Sequence, residues 1–249
     1  MAKPTDIRAA ATELFFLPVE TRVPLKFGPE TLTHVTCARA RLTVRLGNGS
    51  IATGWGETPL SVQWVWPSAL PYEPRHQALK EFCVRLAKAW AASDASGHSL
   101  ELGHDFQQTE LPKLLEAFNA DSPAGEPMPW LAALVCCSLF DIALHDAMGK
   151  ALGVPVHRLL GGCSQSRIEL EWSVSLADDV GVMIEEARTA VDDYGIKVLC
   201  LKAAGKGGWR RDVENFGKVR AALGDDVVIG VDPNTGWTVP ETIAFMHAV

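Results

Sequence analysis

The chain has 249 residues, a formal net charge of −7, and 47% hydrophobic against 21% charged residues, enough to bury a sizeable core in one large or two smaller domains. The acidic balance argues against a nucleic-acid partner, since phosphate binding needs clustered Lys and Arg, and the densest basic group, Lys206, Arg210 and Arg211, is diluted by glycines and Asp212. No apolar run approaches the ~20 residues that a membrane span requires, and Leu14-Phe15-Phe16-Leu17, preceded by Glu13, is too short for a signal peptide, so a soluble, cytoplasmic protein without a membrane partner is expected.

In chain order, residues 7–17 read as a strand. Residues 19–32 read as a loop, punctuated by Pro24, Gly28 and Pro29 and carrying Arg22 and Lys26 among apolar residues. Residues 35–46 and 51–57 alternate on either side of Gly47-Asn48-Gly49, which predicts a β-hairpin. Residues 75–92 carry Leu79, Phe82, Cys83, Leu86 and Trp90 at helical spacing. A second helical stretch, 106–118, is expected to be interrupted at Pro112, and a long apolar helix over 130–152 ends at Gly153 and Pro155.

From Ile168 the pattern changes. Strands over 168–176, 196–203 and 227–232 alternate with helices over 178–194 and 209–223, and a further helix starts at Val239. Such alternation predicts a parallel β/α architecture. Two regions follow: an α+β domain over residues 1–162, and the start of a β/α barrel over 163–249. The six cysteines show no CxxC and no metal-ligand spacing, so they read as reduced, packed thiols.

The stretch Val227-Val228-Ile229-Gly230-Val231-Asp232-Pro233-Asn234 has the form of a buried parallel strand delivering a carboxylate to the sheet's carboxyl edge. A capping or turn role for Asp232 is the competing reading. In Leu199-Cys200-Leu201-Lys202, alternation puts Cys200 and Lys202 on one face; a lysine snorkelling at a strand end would look the same. On the long helix, Asp141 and His145 share a face, and a buried polar network at a domain interface is favoured there over catalysis. Gly205-Lys206-Gly207-Gly208 lacks the spacing of a phosphate loop, with Trp209 where Ser or Thr is required, and reads as a flexible βα loop.

Asp141-Ile142-Ala143-Leu144-His145-Asp146-Ala147-Met148-Gly149-Lys150, followed by Pro155-Val156-His157-Arg158-Leu159-Leu160-Gly161-Gly162, resembles the signature helix of the mandelate racemase/muconate lactonizing enzyme family of the enolase superfamily. Gly54-Trp55-Gly56-Glu57 and Pro24-Leu25-Lys26-Phe27-Gly28 are similar to pieces of that family's amino-terminal domain. The resemblance implies an α+β capping domain followed by the first part of a modified, TIM-like (β/α) barrel. It also implies a chemistry: abstraction of a proton α to a carboxylate, giving an enediolate held by Mg²⁺ on carboxylates at successive strand ends. A carbon acid this weak needs its growing charge neutralised at once, which a metal does as a Lewis acid.

On this reading Asp232 matches the first metal ligand, an oxygen donor suited to a hard cation, and Asn234 a supporting position. Lys202 matches the second lysine of a Lys-x-Lys pair, the base. Cys200 stands in place of the first lysine, a departure that removes a like charge which would help lower the base's pKa; nothing obvious activates Cys200 as a nucleophile. Arg22 and Lys26 fall in a stretch similar to the family's mobile specificity loop, where they could meet a substrate carboxylate, with solvated surface charge as the competing role. The implied substrate is a small carboxylate or acid sugar, the implied reaction that of an acid-sugar dehydratase, a racemase/epimerase or a cycloisomerase, and the implied assembly a homo-oligomer when complete.

A barrel of eight units takes ~250 residues, whereas the stretch after Gly162 suffices for about three strands on that scale. The second and third metal carboxylates and an opposite-face base belong to later strands, so a partial sequence, inactive alone, is the expectation. A Schiff-base barrel with Lys202 as nucleophile and a non-catalytic fragment remain the alternatives.

Overall fold

The computed structural model describes residues 3–21, 32–121 and 124–249 in full, and only the backbone of 22–27 and 30–31. The chain divides into two compact units, residues 1–20 with 34–164 and residues 21–33 with 165–249.

The chain opens on strands β1 (Ile7–Phe27), β2 (Glu30–Leu46) and β3 (Ile51–Pro59), ordered β1-β2-β3 in one sheet, with residues 21–33 of β1 and β2 assigned to the second unit. The loop expected over residues 19–32 is therefore strand over most of its length. β1 lies at the sheet edge, where a proline such as Pro24 costs the ladder least. The expected hairpin joins β2 to β3 in antiparallel register, with Leu42 opposite Gly54 and Ala40 opposite Gly56. Asn48 Oδ1 accepts from the Ser50 backbone N–H at 2.9 Å and its hydroxyl at 2.7 Å, and Gly49 takes φ +84°, which a side chain would resist.

Helices α1 (Val62–Val65), α2 (Tyr72–Ala92), α3 (Ser99–Asp105), α4 (Leu111–Ala120), α5 (Trp130–Leu152) and α6 (Val156–Leu159) complete the first unit. Pro112 does not break its helix, contrary to the expectation. A π turn, Phe106–Glu110, joins α3 to α4, and Pro112 sits in the first turn of α4. There the widened backbone has no need of the missing N–H and relieves the ring's clash with the preceding turn.

α5 spans the predicted 130–152 and ends at Gly153 with φ +67°. Its 23 residues, with a mean hydropathy of 1.7 over an 18-residue window, qualify it by length and composition to cross a membrane, which corrects the expectation that no apolar run does. Most of its apolar surface is instead buried within the unit: Ala132, Cys136, Leu139, Phe140, Ala143, Leu144 and Ala147 pack with α2 and β3. The helix also completes the sheet's hydrogen bonding. Asp146 Oδ2 accepts from the Trp55 N–H of β3 at 2.8 Å and from Lys150 Nζ at 2.6 Å. Asp146→Ala removes that acceptor, and urea denaturation should show a loss of about 1 kcal/mol. Asp146→Asn, which keeps an acceptor oxygen, should lose less; equal stability of the alanine variant and the parent would remove this contact from the account.

The second unit carries a parallel sheet, β4 (Glu171–Val174), β5 (Val198–Lys202) and β6 (Val228–Asp232), in that order. Helix α7 (Val180–Arg188) continues into a π turn, Thr189–Asp193, and is followed by α8 (Gly208–Leu223) and α9 (Val239–Ala248). β4 is shorter than the expected 168–176. Its pairing starts only at Glu171 opposite Val198, and Ile168 and Leu170 upstream are exposed. Asp179 caps α7 by accepting from the Gly181 N–H at 2.8 Å, and Gly195 ends the π turn's exit at φ +66°. One face of the sheet, with Val174, Leu199 and Leu201, is buried against Met183, Ala187, Ala190 and Val219 of the helical layer. The alternate residues, Ser173, Cys200, Lys202, Gly230 and Asp232, share the opposite face.

Candidate active site

The register of the parallel sheet sets Lys202 directly beside Asp232 at the carboxyl ends of β5 and β6. Lys202 Nζ lies 2.7 Å from Asp232 Oδ2, and the Ala203 N–H donates to the Asp232 carbonyl at 3.0 Å. Both residues sit where β/α folds concentrate their chemistry, because the loops leaving the strand ends are free to vary while the sheet is not. The lysine stem is largely covered and the carboxylate about one-third exposed, so the pair is reachable from the polar face.

The turn after β6 is wound tightly around this carboxylate. Asn234 donates its backbone N–H to Asp232 Oδ1 at 2.8 Å and its side-chain Nδ2 to Oδ2 at 3.0 Å. Asn234 and Thr235 have φ of +46° and +67°, and Gly236 follows. Asparagine tolerates that region, but a β-branched threonine does so only when its surroundings hold it. Burial pushes the Asp232 carboxyl upward. The Lys202 ammonium and the two Asn234 donors more than offset this and hold it below the usual carboxylate range.

Cys200 lies on the same face as Lys202. Burial and the nearby Glu171 charge raise its thiol, Lys202 opposes them, and Asp232 adds to the rise. A raised thiol is a poor nucleophile, so the geometry gives Cys200 a neutral, space-filling place beside the pair. The side chains of Arg22 and Lys26 lie outside the described residues.

A hard cation would need oxygen donors here. Asp232 supplies a carboxylate, and Asn234 Oδ1 is a buried amide oxygen with no hydrogen-bond partner. Among the described residues no group of three or more His, Cys, Asp or Glu side chains is placed to hold a metal ion. The donor set thus fits Mg²⁺ in kind, and supplies fewer oxygens than its near-octahedral shell requires.

One residue that the sequence patterns did not single out joins the site from behind. Asp212, buried on α8, accepts at Oδ2 from the Ala204 N–H at 3.0 Å and from the Trp237 indole N–H at 3.2 Å. Both donors lie in the loops that leave the two strand ends. The one sequence signal was an acid near the amino end of α8, which reads as an ordinary dipole partner.

The family model of enolase C-terminal domain-like proteins matches residues 182–249. Muconate cycloisomerase 1 of Rhodococcus opacus is 31% identical over 243 residues, covering 94% of this chain and 54% of that enzyme. The D-Ala-D/L-Ala epimerase of Cytophaga hutchinsonii is 31% identical over 106 residues, 43% of this chain and 28% of that enzyme. Among solved structures, the dipeptide epimerase from Cytophaga hutchinsonii, complexed with Mg and D-Ala-L-Val, superposes with a TM-score of 0.67 at 23% identity, over 97% of this chain and 56% of its own. The muconate lactonizing enzyme from Pseudomonas fluorescens, complexed with muconolactone, gives 0.63 at 21%, over 97% and 57%. These structures share the fold, and the chain spans little more than half their length. The family-model match, the sequence relatives and the shared fold together support placing the chain with the enolase superfamily, of the mandelate racemase/muconate lactonizing enzyme type.

Proposed function

We propose that this chain carries the base and the first metal ligand of an isomerase that removes the proton α to a carboxylate of a small substrate. The observation that carries the reading is the Lys202–Asp232 pair, 2.7 Å apart on adjacent strand ends. Relatives named epimerase, racemase and cycloisomerase support an isomerase over a dehydratase.

In this reading Lys202, as the neutral amine left when its ammonium gives up its proton to solvent, takes the α-proton at Nζ. The electron pair of the C–H bond moves into the carboxylate to form an enediolate, and reprotonation at carbon completes the isomerisation. Asp232 would hold Mg²⁺, which would supply neutralisation of the charge that builds on the carboxylate oxygens. Asn234 fixes the Asp232 carboxylate through its two donors. The ion pair with Lys202 at Oδ2 keeps the carboxylate oriented.

The test is proton NMR in D₂O on a form that carries the remaining barrel strands, with a panel of dipeptides, N-acylated amino acids and muconolactone-type acids. Deuterium should enter the α-carbon of at least one class, and chelation with EDTA should stop it. Exchange that persists without divalent metal would sink the metal-assisted reading. Labelling of Lys202 by borohydride in the presence of a keto-acid would support the Schiff-base alternative instead.

A further inference from the structure

We propose that Asp212 is a positioning residue for the Lys202–Asp232 site: a single carboxylate oxygen on α8 ties the loop after β5 to the loop after β6, and so holds the two loops that frame the pair in one arrangement. The inference rests on the reading of Lys202 and Asp232 as the reacting pair.

Asp212 Oδ2 takes the Ala204 N–H at 3.0 Å and the Trp237 indole N–H at 3.2 Å. Ala204 lies just beyond Lys202, and Trp237 just beyond Asp232 and Asn234. Ala204 holds φ +65°, a left-handed conformation that an alanine adopts only under constraint. The two loops also touch directly. A Cβ added at Gly236 would overlap the Ala204 methyl, so only glycine allows this approach. Trp237 is fixed from its other side by Phe245 of α9, ring centroids 4.7 Å apart, and Phe245 stands edge-on to Phe216 of α8.

The carboxylate is thus the hub of a small rigid assembly that contains both loops. The neighbouring helix offers a comparison. Glu186 of α7 accepts from the Ser175 N–H at 2.9 Å and the Trp172 indole at 3.2 Å, both on or next to β4. Asp212 differs by reaching across two strands, the two that carry the candidate base and ligand. A buried carboxylate is costly unless several donors hold it. An acid that served only the helix dipole would remain in solvent at the helix surface.

The experiment compares Asp212→Ala, Asp212→Asn and Trp237→Phe. In Asp212→Ala the ¹⁵N–¹H indole signal of Trp237 should move and the Ala204 amide should lose protection from hydrogen exchange. The rate constant for α-proton exchange should fall at least tenfold with KM changed less than threefold. Asp212→Asn keeps an acceptor oxygen without the charge, and should recover the indole signal, the Ala204 protection and most of the rate; a helix-dipole role would leave Asn as impaired as Ala. Trp237→Phe removes one donor alone and should reproduce part of the rate loss in a folded protein. Unmoved Trp237 and Ala204 signals in Asp212→Ala overturn the clamp whatever the activity. If Asp212→Ala does not fold, a wild-type rate in Trp237→Phe overturns it. If Lys202→Met leaves exchange intact, the site reading fails, while the two NMR signals still decide whether Asp212 joins the loops.

Discussion

Gly56→Ala is expected to destabilise the amino-terminal unit by about 3 kcal/mol, the upper end of what overpacking a tight interior costs. A Cβ at this position would overlap the Leu139 carbonyl oxygen and lie 2.7 Å from the Ala143 nitrogen. At Gly54, two residues along the same face of β3, it would overlap the Ala143 carbonyl oxygen and lie 2.9 Å from the Ala147 Cα. These obstacles are backbone atoms of α5, so no rotamer change can make room. The whole helix would have to withdraw from the sheet, parting the apolar contacts of Leu139, Phe140 and Leu144. Gly56 is not in the left-handed region, so an alanine can adopt its backbone conformation and the penalty is steric. Gly49→Ala supplies the contrast: no atom lies within 4 Å of its would-be Cβ, and φ +84° alone should cost about 1 kcal/mol. Denaturant midpoints compare the two. A Gly56→Ala variant as stable as the parent would mean that the sheet and helix are not in backbone contact.

That contact illustrates what was legible in the sequence. Local signals placed α5, its Gly153 stop and the hairpin at Asn48-Gly49, because caps and turns are written in adjacent residues. The glycine pair of β3 was visible as a motif, but its purpose lies on α5, far away along the chain. The same holds for Asp212: the acid is conspicuous, but its donors sit at Ala204 and Trp237. Residues 19–32 were misread because prolines weigh as breakers in a local window, while an edge strand accepts them. Alternation put Cys200 and Lys202 on one face. Only pairing across strands could put Asp232 opposite Lys202, since register depends on the whole sheet.

Lys202→Met is expected to lower α-proton exchange by about 10²–10⁴-fold, the usual contribution of a positioned general base, while the protein stays folded. Methionine keeps most of the apolar stem that packs at the strand end, and Asp232 retains both Asn234 donors. The informative companion is Lys202→Arg. A guanidinium preserves the positive charge beside Asp232 and can remake the ion pair, but it does not give up its proton under working conditions. If Lys202 serves only to neutralise Asp232, the arginine variant should restore exchange. If it is the base, arginine should fail as methionine does. Asp232→Asn completes the comparison from the other side. It keeps the shape of the β6 end and removes the charge, so it should weaken Mn²⁺ binding, read by the paramagnetic signal of the free ion, as well as exchange. Circular dichroism of all three variants separates a lost site from a lost fold. Full exchange in Lys202→Met, with the fold intact, would remove the lysine from the chemistry and leave the ion pair as a structural tie between β5 and β6.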